Sequence, residues 1–359
     1  MLKRILAAGA VLGGALIAAV PCAPQSTGAP QSTGAPQSTG APQSTGSPQS
    51  EVAPQAPAKE EREKAATSKV AQTAKAPEKV FFIGHSLISD IPDMVAAFSA
   101  AAPVKRFAFK EQFIPGAPLR WQWEEPERAK KPDYKSTFVA QFQAIYEAEL
   151  KSGAYDALVL VEGSPLGAKG AESESADYLA RFAQLARDHN PKVRVLFYEP
   201  WACVESGTPA GCEYDTQSPN RELEWRERLE ADGKRWERVV ELANERLTGE
   251  GRSIELIPVG RALGRLVDAM EAGEVEGLSK RRELFEDSVH LNAYGKYFAG
   301  LVTWAALFDA SPVGRAAAPS DRWARPYWNQ ANWAGKVCPA PKPAAIRRMQ
   351  EVAAAGVKR

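Results

Sequence analysis

Histidine is scarce in this 359-residue chain, with only His85, His189 and His290. With just four cysteines beside them, there is little material for a His/Cys metal cluster, and no metal site is expected. An excess of charge of one sign is lacking too. The 45 basic residues face 44 acidic ones for a net charge of +1, and no basic stripe with interleaved aromatics runs along the chain. Nucleic acid is therefore not an expected partner. The apolar stretch Ile5 to Val20 falls short of the ~20 residues that a spanning helix needs.

That stretch follows Lys3 and Arg4, and residues 1–22 read as a signal peptide or N-terminal anchor. Pro21 spoils a clean small-residue cleavage site, and Ala19-Val20-Pro21-Cys22 is a poor lipobox. Processed secretion, lipid anchoring at Cys22 and an uncleaved anchor all stay open. Residues 23–46 are four copies of Ala-Pro-Gln-Ser-Thr-Gly, a period with no apolar face and too short for a solenoid. Together with the Ala-, Pro- and charge-rich stretch that follows, residues 23–78 are expected to be a disordered linker. The expected location is exported: periplasmic, cell-surface or secreted, with tethering to a membrane or envelope through the N-terminus as an alternative. In an oxidising compartment Cys203 and Cys212, in one Gly/Pro-containing loop, suit a loop-closing disulfide, or else are a reduced pair. Cys338 is left single.

About 280 residues remain, enough for one substantial domain and a tail. Strands are expected at Lys79–Ile83, Arg106–Phe113, Ala157–Val161, Val193–Tyr198 and Ile254–Pro258. Helices are expected at Ile91–Ala101, Thr137–Ser152, Ala176–His189, Arg221–Leu247, Arg261–Ala272, Ala293–Phe308 and around Ala345–Ala354. Most of the strands are continuous apolar runs alternating with helices. This pattern implies an α/β fold, a three-layer α/β/α domain with a mostly parallel central sheet. In such sheets ligands sit beyond the carboxyl ends of the strands. Ser86, Gly116, Gly163 and Pro200 each fall just after one.

Two separated motifs complete the pattern. Gly84-His85-Ser86-Leu87 follows the first strand, and Asp287-Ser288-Val289-His290 precedes the helix at 293. A serine hydroxyl becomes a nucleophile when an imidazole takes its proton, and a carboxylate must hold that imidazole in the right tautomer. These residues resemble the SGNH/GDSL hydrolases, a superfamily of esterases, lipases and carbohydrate deacetylases. Gly84-His85-Ser86-Leu87 matches Gly-Asp-Ser-Leu with His85 where Asp is usual, and Asp287-x-x-His290 matches the last block. Gly116 in Ile114-Pro115-Gly116-Ala117-Pro118 is matched to the second-block glycine. Glu162-Gly163-Ser164-Pro165 stands where Gly-x-Asn-Asp is usual, and its Asn is missing.

The resemblance covers roughly residues 79–310 and implies a flavodoxin-like catalytic domain there, with 311–359 as a tail packing on it. It implies Ser86 as nucleophile, His290 as general base and Asp287 as its orienting carboxylate. The oxyanion donors would be the N–H groups of Ser86 and Gly116, with a third from Gly163, from the Ser164 N–H or from its hydroxyl. No metal or organic cofactor is implied. His85 either contacts substrate or is a structural hydrogen-bonding residue. Arg120 and Trp121, in Leu119-Arg120-Trp121-Gln122-Trp123-Glu124, either recognise substrate or pack a loop. Trp323, Tyr327, Trp328 and Trp333 either dock on glycan or pack the tail. The function expected is hydrolysis of a small acyl ester, on a small molecule or a carbohydrate. An acyltransferase on the same residues, and a non-catalytic surface-binding protein, are the alternatives.

Overall fold

Successive side chains of the strand Lys79–Gly84 (β1) enter opposite cores: Val80 and Phe82 join one, Phe81 and Ile83 the other. This two-residue period continues through Ala157–Val161 (β3) and Arg194–Tyr198 (β4), every residue of which is buried. A strand covered on both faces has no solvent side, hence its continuous apolar run. Ala108–Phe113 (β2) and Glu255–Ile257 (β5) flank these three and are less buried. The strands form one parallel sheet in the order β2-β1-β3-β4-β5. The computed structural model describes residues 76–101, 107–129, 144–164, 166–168, 170–209, 211–212, 217–314 and 338–357. The expected N-terminal segment, the repeats, Cys22, residues 137–143 of the expected helix at 137–152 and the four C-terminal aromatics lie outside them.

Helices cover both faces. Ile91–Ala101 (α1), Val259–Glu271 (α6), Ala293–Phe308 (α7) and Pro343–Val357 (α8) close the core that holds Val80, Val159 and Tyr198. Leu119–Ala129 (α2), Tyr146–Lys151 (α3), Ala171–His189 (α4) and most of Trp225–Arg246 (α5) close the core of Phe81, Leu158 and Phe197. The fold is thus a three-layer α/β/α sandwich. α8 lies against α6 and α7 and buries Met349 and Ala353. Among the described residues no helix is long and apolar enough to cross a membrane.

One segment departs from the sequence reading. Leu119 to Glu124, expected as an aromatic loop, begins α2. Pro126 within it argues against a helix, because proline cannot donate to the carbonyl four residues earlier. That carbonyl belongs to Gln122, and Gln112 Nε2 donates to it instead at 3.3 Å. A second correction concerns Cys338, which is buried and is not a free thiol. Cys203 and Cys212 are disulfide-bonded.

Candidate active site

Order 2-1-3-4-5 reverses the direction of winding between β1 and β3, the place where a parallel sheet opens a crevice at its carboxyl edge. β1 ends there at Gly84, which has no space for a side chain. A Cβ would lie 2.3 Å from Val161 Cγ1 and 2.7 Å from Ile88 Cγ2. The Gly84 carbonyl is gripped by Ile114 N–H at 3.0 Å and by the buried Gln122 Nε2 at 2.7 Å. The chain then turns through His85 into a short 3-10 helix, Ser86–Ile88, whose first residue presents its hydroxyl to the crevice.

His290 reaches the same point from the loop before α7. Its Nε2 lies 2.9 Å from Ser86 Oγ, and its Nδ1 lies 2.7 Å from Asp287 Oδ2. The other oxygen, Asp287 Oδ1, accepts from Val289 N–H at 2.8 Å and His290 N–H at 2.7 Å. Burial would raise the Asp287 carboxyl, but the His290 ring and these two N–H groups outweigh it and hold the group below its ordinary range. An ionised Asp287 accepts a hydrogen bond from Nδ1–H, so Nε2 faces the hydroxyl as an acceptor. Ser86, His290 and Asp287, 204 residues apart at the extremes, therefore form one hydrogen-bonded line.

The line opens on a cleft of about 740 Å³. Pro115, Gly116, Pro118 and Arg120 form one side, and Glu162 to Ser164 with Leu166, Ala171 and Tyr178 form another. Gly116 has φ +66° in the turn closed by Ala117 N–H to the Ile114 carbonyl at 3.1 Å, with Pro115 before it. A positive φ at this position suits glycine. The N–H groups of Ser86 and Gly116 donate to nothing among the described residues. The three alternatives for a further donor separate clearly. Gly163 N–H is committed to Glu162 Oε1 at 2.7 Å, so it is not the open donor expected. Ser164 Oγ donates to the Trp201 carbonyl at 2.9 Å. That leaves the Ser164 N–H, which is uncommitted among the described residues.

The expected substrate contacts also separate. His85 is 3 % exposed, and both ring nitrogens are engaged by main chain: Nε2 donates to the Glu162 carbonyl at 2.9 Å and Nδ1 accepts from Leu87 N–H at 3.5 Å. The ring is thus tied to main chain on both sides, and His85 also lines the cleft. Burial, opposed by the bond to Glu162 and reinforced by nearby His290, keeps its imidazole below the ordinary 6.5. Arg120 lines the cleft and pairs with Glu174 at 3.2 Å. Trp121 does not line it and is 40 % exposed. On a helix, neighbours point about 100° apart, so the two side chains face different ways.

Glu162 opens the segment that stands where the resemblance leads one to expect Gly-x-Asn-Asp. It is 4 % exposed, and its Oε1 also accepts from Leu119 N–H, the first residue of α2, at 3.0 Å. Burial raises its carboxyl, and bonds from Gly163, Ser175 and Leu119 only partly offset this. Sequence reasoning saw Glu162 only as a departure. Its role depends on the start of a helix at Leu119, where a loop was expected. Among the described residues, no three His, Cys, Asp or Glu side chains gather as a metal site requires.

No family model matches the chain, and no curated protein matches it. Among solved structures, a crystal structure from Parabacteroides merdae ATCC 43184, provisionally named a GDSL-like lipase, is similar with a TM-score of 0.40 and 14% identity. The likeness covers 64% of this chain and 95% of that one.

Proposed function

We propose that the protein is an exported serine esterase that removes a small acyl group from an alcohol, with a carbohydrate ester as the first substrate class to try. The observation that carries this reading is the line Asp287 Oδ2, His290 Nδ1, His290 Nε2, Ser86 Oγ, with separations of 2.7 and 2.9 Å at the mouth of a cleft. In the reaction, Ser86 Oγ attacks the ester carbonyl carbon as its proton passes to His290 Nε2. Asp287 stabilises the imidazolium through Nδ1–H. The N–H groups of Ser86 and Gly116, with that of Ser164 as a third, receive the oxyanion; each such donor is worth ~100- to 1,000-fold in rate. The intermediate collapses, the C–O bond to the alcohol breaks, and His290 returns the proton to the departing oxygen. Water then attacks the acyl-Ser86 carbonyl by the same route and releases the acid.

Export is supported by the basic and apolar opening of the sequence, and the Cys203–Cys212 disulfide is compatible with it. The test is hydrolysis of a panel of short acyl esters by the full chain, beside Ser86→Ala and His290→Ala. Both substitutions should remove the activity. Equal rates in all three proteins would sink the proposal. One observation favours a second reading, a non-catalytic surface-binding protein: the Gly163 N–H and the Ser164 hydroxyl, two of three candidate third donors, are engaged elsewhere. That reading predicts no turnover by the wild type and tight binding of an intact ester or glycan.

A further inference from the structure

Four successive carbonyls of the Asp287–His290 segment are each held by a donor. Arg282 Nη1 donates to Asp287 O at 2.5 Å. Val204 N–H donates to Ser288 O at 2.8 Å, and Trp201 Nε1 donates to Val289 O at 2.7 Å. Glu286 N–H donates to His290 O at 2.8 Å. Two of these donors, Trp201 and Val204, come from one short stretch after β4. A third, Arg282, is paired at 3.1 Å with Glu205, the next residue of that stretch. The stretch is pinned in turn. Trp225 Nε1 donates to Ala202 O at 3.1 Å, and Cys203 is bonded to Cys212.

Trp201 also ties the His290 segment to the loop after β3. Its indole holds the carbonyl next to His290, while its own carbonyl accepts the Ser164 hydroxyl from the loop after β3 at 2.9 Å. The side chain is 2 % exposed and packs edge-on to Tyr198, with ring centroids 6.4 Å apart. Asp287 fixes the tautomer of His290 but cannot by itself fix how far its backbone stands from Ser86. Val289, 6 % exposed, would keep an unsatisfied carbonyl without the indole and would be free to tilt.

We propose that Trp201, at the head of the loop closed by Cys203–Cys212, is a positioning residue that sets the approach of His290 to Ser86. The inference rests on the esterase reading for its kinetic consequence, but not for its geometric one. It gives the disulfide loop a task within the site, and it predicts that loss of the loop's closure slows the chemistry without weakening substrate binding.

The test is Trp201→Phe in the full chain, which keeps an aromatic ring and removes the donor. Trp236→Phe is the control, a buried tryptophan beside Phe197 in the other core. Two quantities are read: kcat and KM for a short acyl ester, and the downfield proton resonance of the His290 Nδ1–H shared with Asp287. Trp201→Phe should lower kcat by ~10- to 100-fold with KM nearly unchanged, the pattern of a reacting group displaced by a fraction of an ångström. Its resonance should move or broaden, and the control should match wild type. If Trp201→Phe matches the control in both readouts, the inference is wrong. If the wild type turns over no ester, the esterase reading fails separately, and the resonance alone decides the inference. Should Trp201→Phe not fold, the double variant Cys203→Ala/Cys212→Ala takes its place. It should lower kcat in the same direction by a smaller factor, and wild-type kcat would overturn the proposal.

Discussion

His85 Nε2 donates to the main-chain oxygen of Glu162 at 2.9 Å, so the residue before Ser86 is tied to the loop after β3. Because Glu162 O can only accept, the proton sits on Nε2. Nδ1 is left to accept from Leu87 N–H. The neutral imidazole is therefore a cross-brace over the crevice between β1 and β3, and the Glu162 side chain extends the brace to Leu119 and Gly163.

The brace makes stability depend on pH. The His85 imidazole in the fold lies below the ordinary 6.5, so below that value the unfolded chain binds a proton that the folded chain refuses. This contribution is fully present above pH 6.5 and is lost as pH falls through the folded value. His85→Gln should flatten the dependence. Urea unfolding at pH 5 and pH 7.5 checks this: the difference in unfolding free energy should be larger for wild type than for the variant.

Glu162 should tolerate loss of charge better than loss of its oxygen. Glu162→Gln keeps an acceptor for Leu119 N–H and Gly163 N–H, whereas Glu162→Ala strands both. An orphaned buried donor costs about 1–3 kcal/mol. Thermal melts and kcat/KM should therefore place Glu162→Gln near wild type and Glu162→Ala well below it. The reverse order would mean that the charge itself matters.

Two glycines should fail for different reasons. Gly84→Ala places a Cβ 2.3 Å from Val161 Cγ1 and should destabilise through overpacking, by about 1–3 kcal/mol. Gly116→Ala meets nothing within 4 Å, but must hold φ +66°, which costs an L residue about 1–2 kcal/mol. Relief of that strain would turn the N–H away from the cleft. Denaturant midpoints should fall in both, and Gly116→Ala should lose more kcat than its stability loss accounts for.

The parts of the fold with strong local signals were legible in the sequence. The apolar run of β3 and the helices Ile91–Ala101 and Ala293–Phe308 have the expected bounds, and β1 runs one residue further, to Gly84, because their burial is continuous or amphipathic along the chain. The expected start of α4 at Ala176 fell late, since Glu172 to Ser175 is polar and carries no apolar stripe. α2 formed where a loop was expected, and the donor that its Pro126 lacks is replaced by Gln112, a residue of β2. The parts Trp201 and Glu162 play were illegible for a related reason. Their partners lie on other elements, at Val289, Ser164 and Leu119, and no local pattern encodes such pairings. An acid directly after one central strand and a tryptophan three residues after the next were the available hints.

The most direct test of the central claim is covalent capture of Ser86. The full chain is treated with a fluorophosphonate, and the modified peptide is identified by mass. One adduct on Ser86 is expected in wild type, none in Ser86→Ala, and labelling slowed at least ~100-fold in His290→Ala, which lacks the proton acceptor. An adduct on another residue, or equal labelling of wild type and Ser86→Ala, would contradict the assignment of the Ser86, His290 and Asp287 line as the reacting centre.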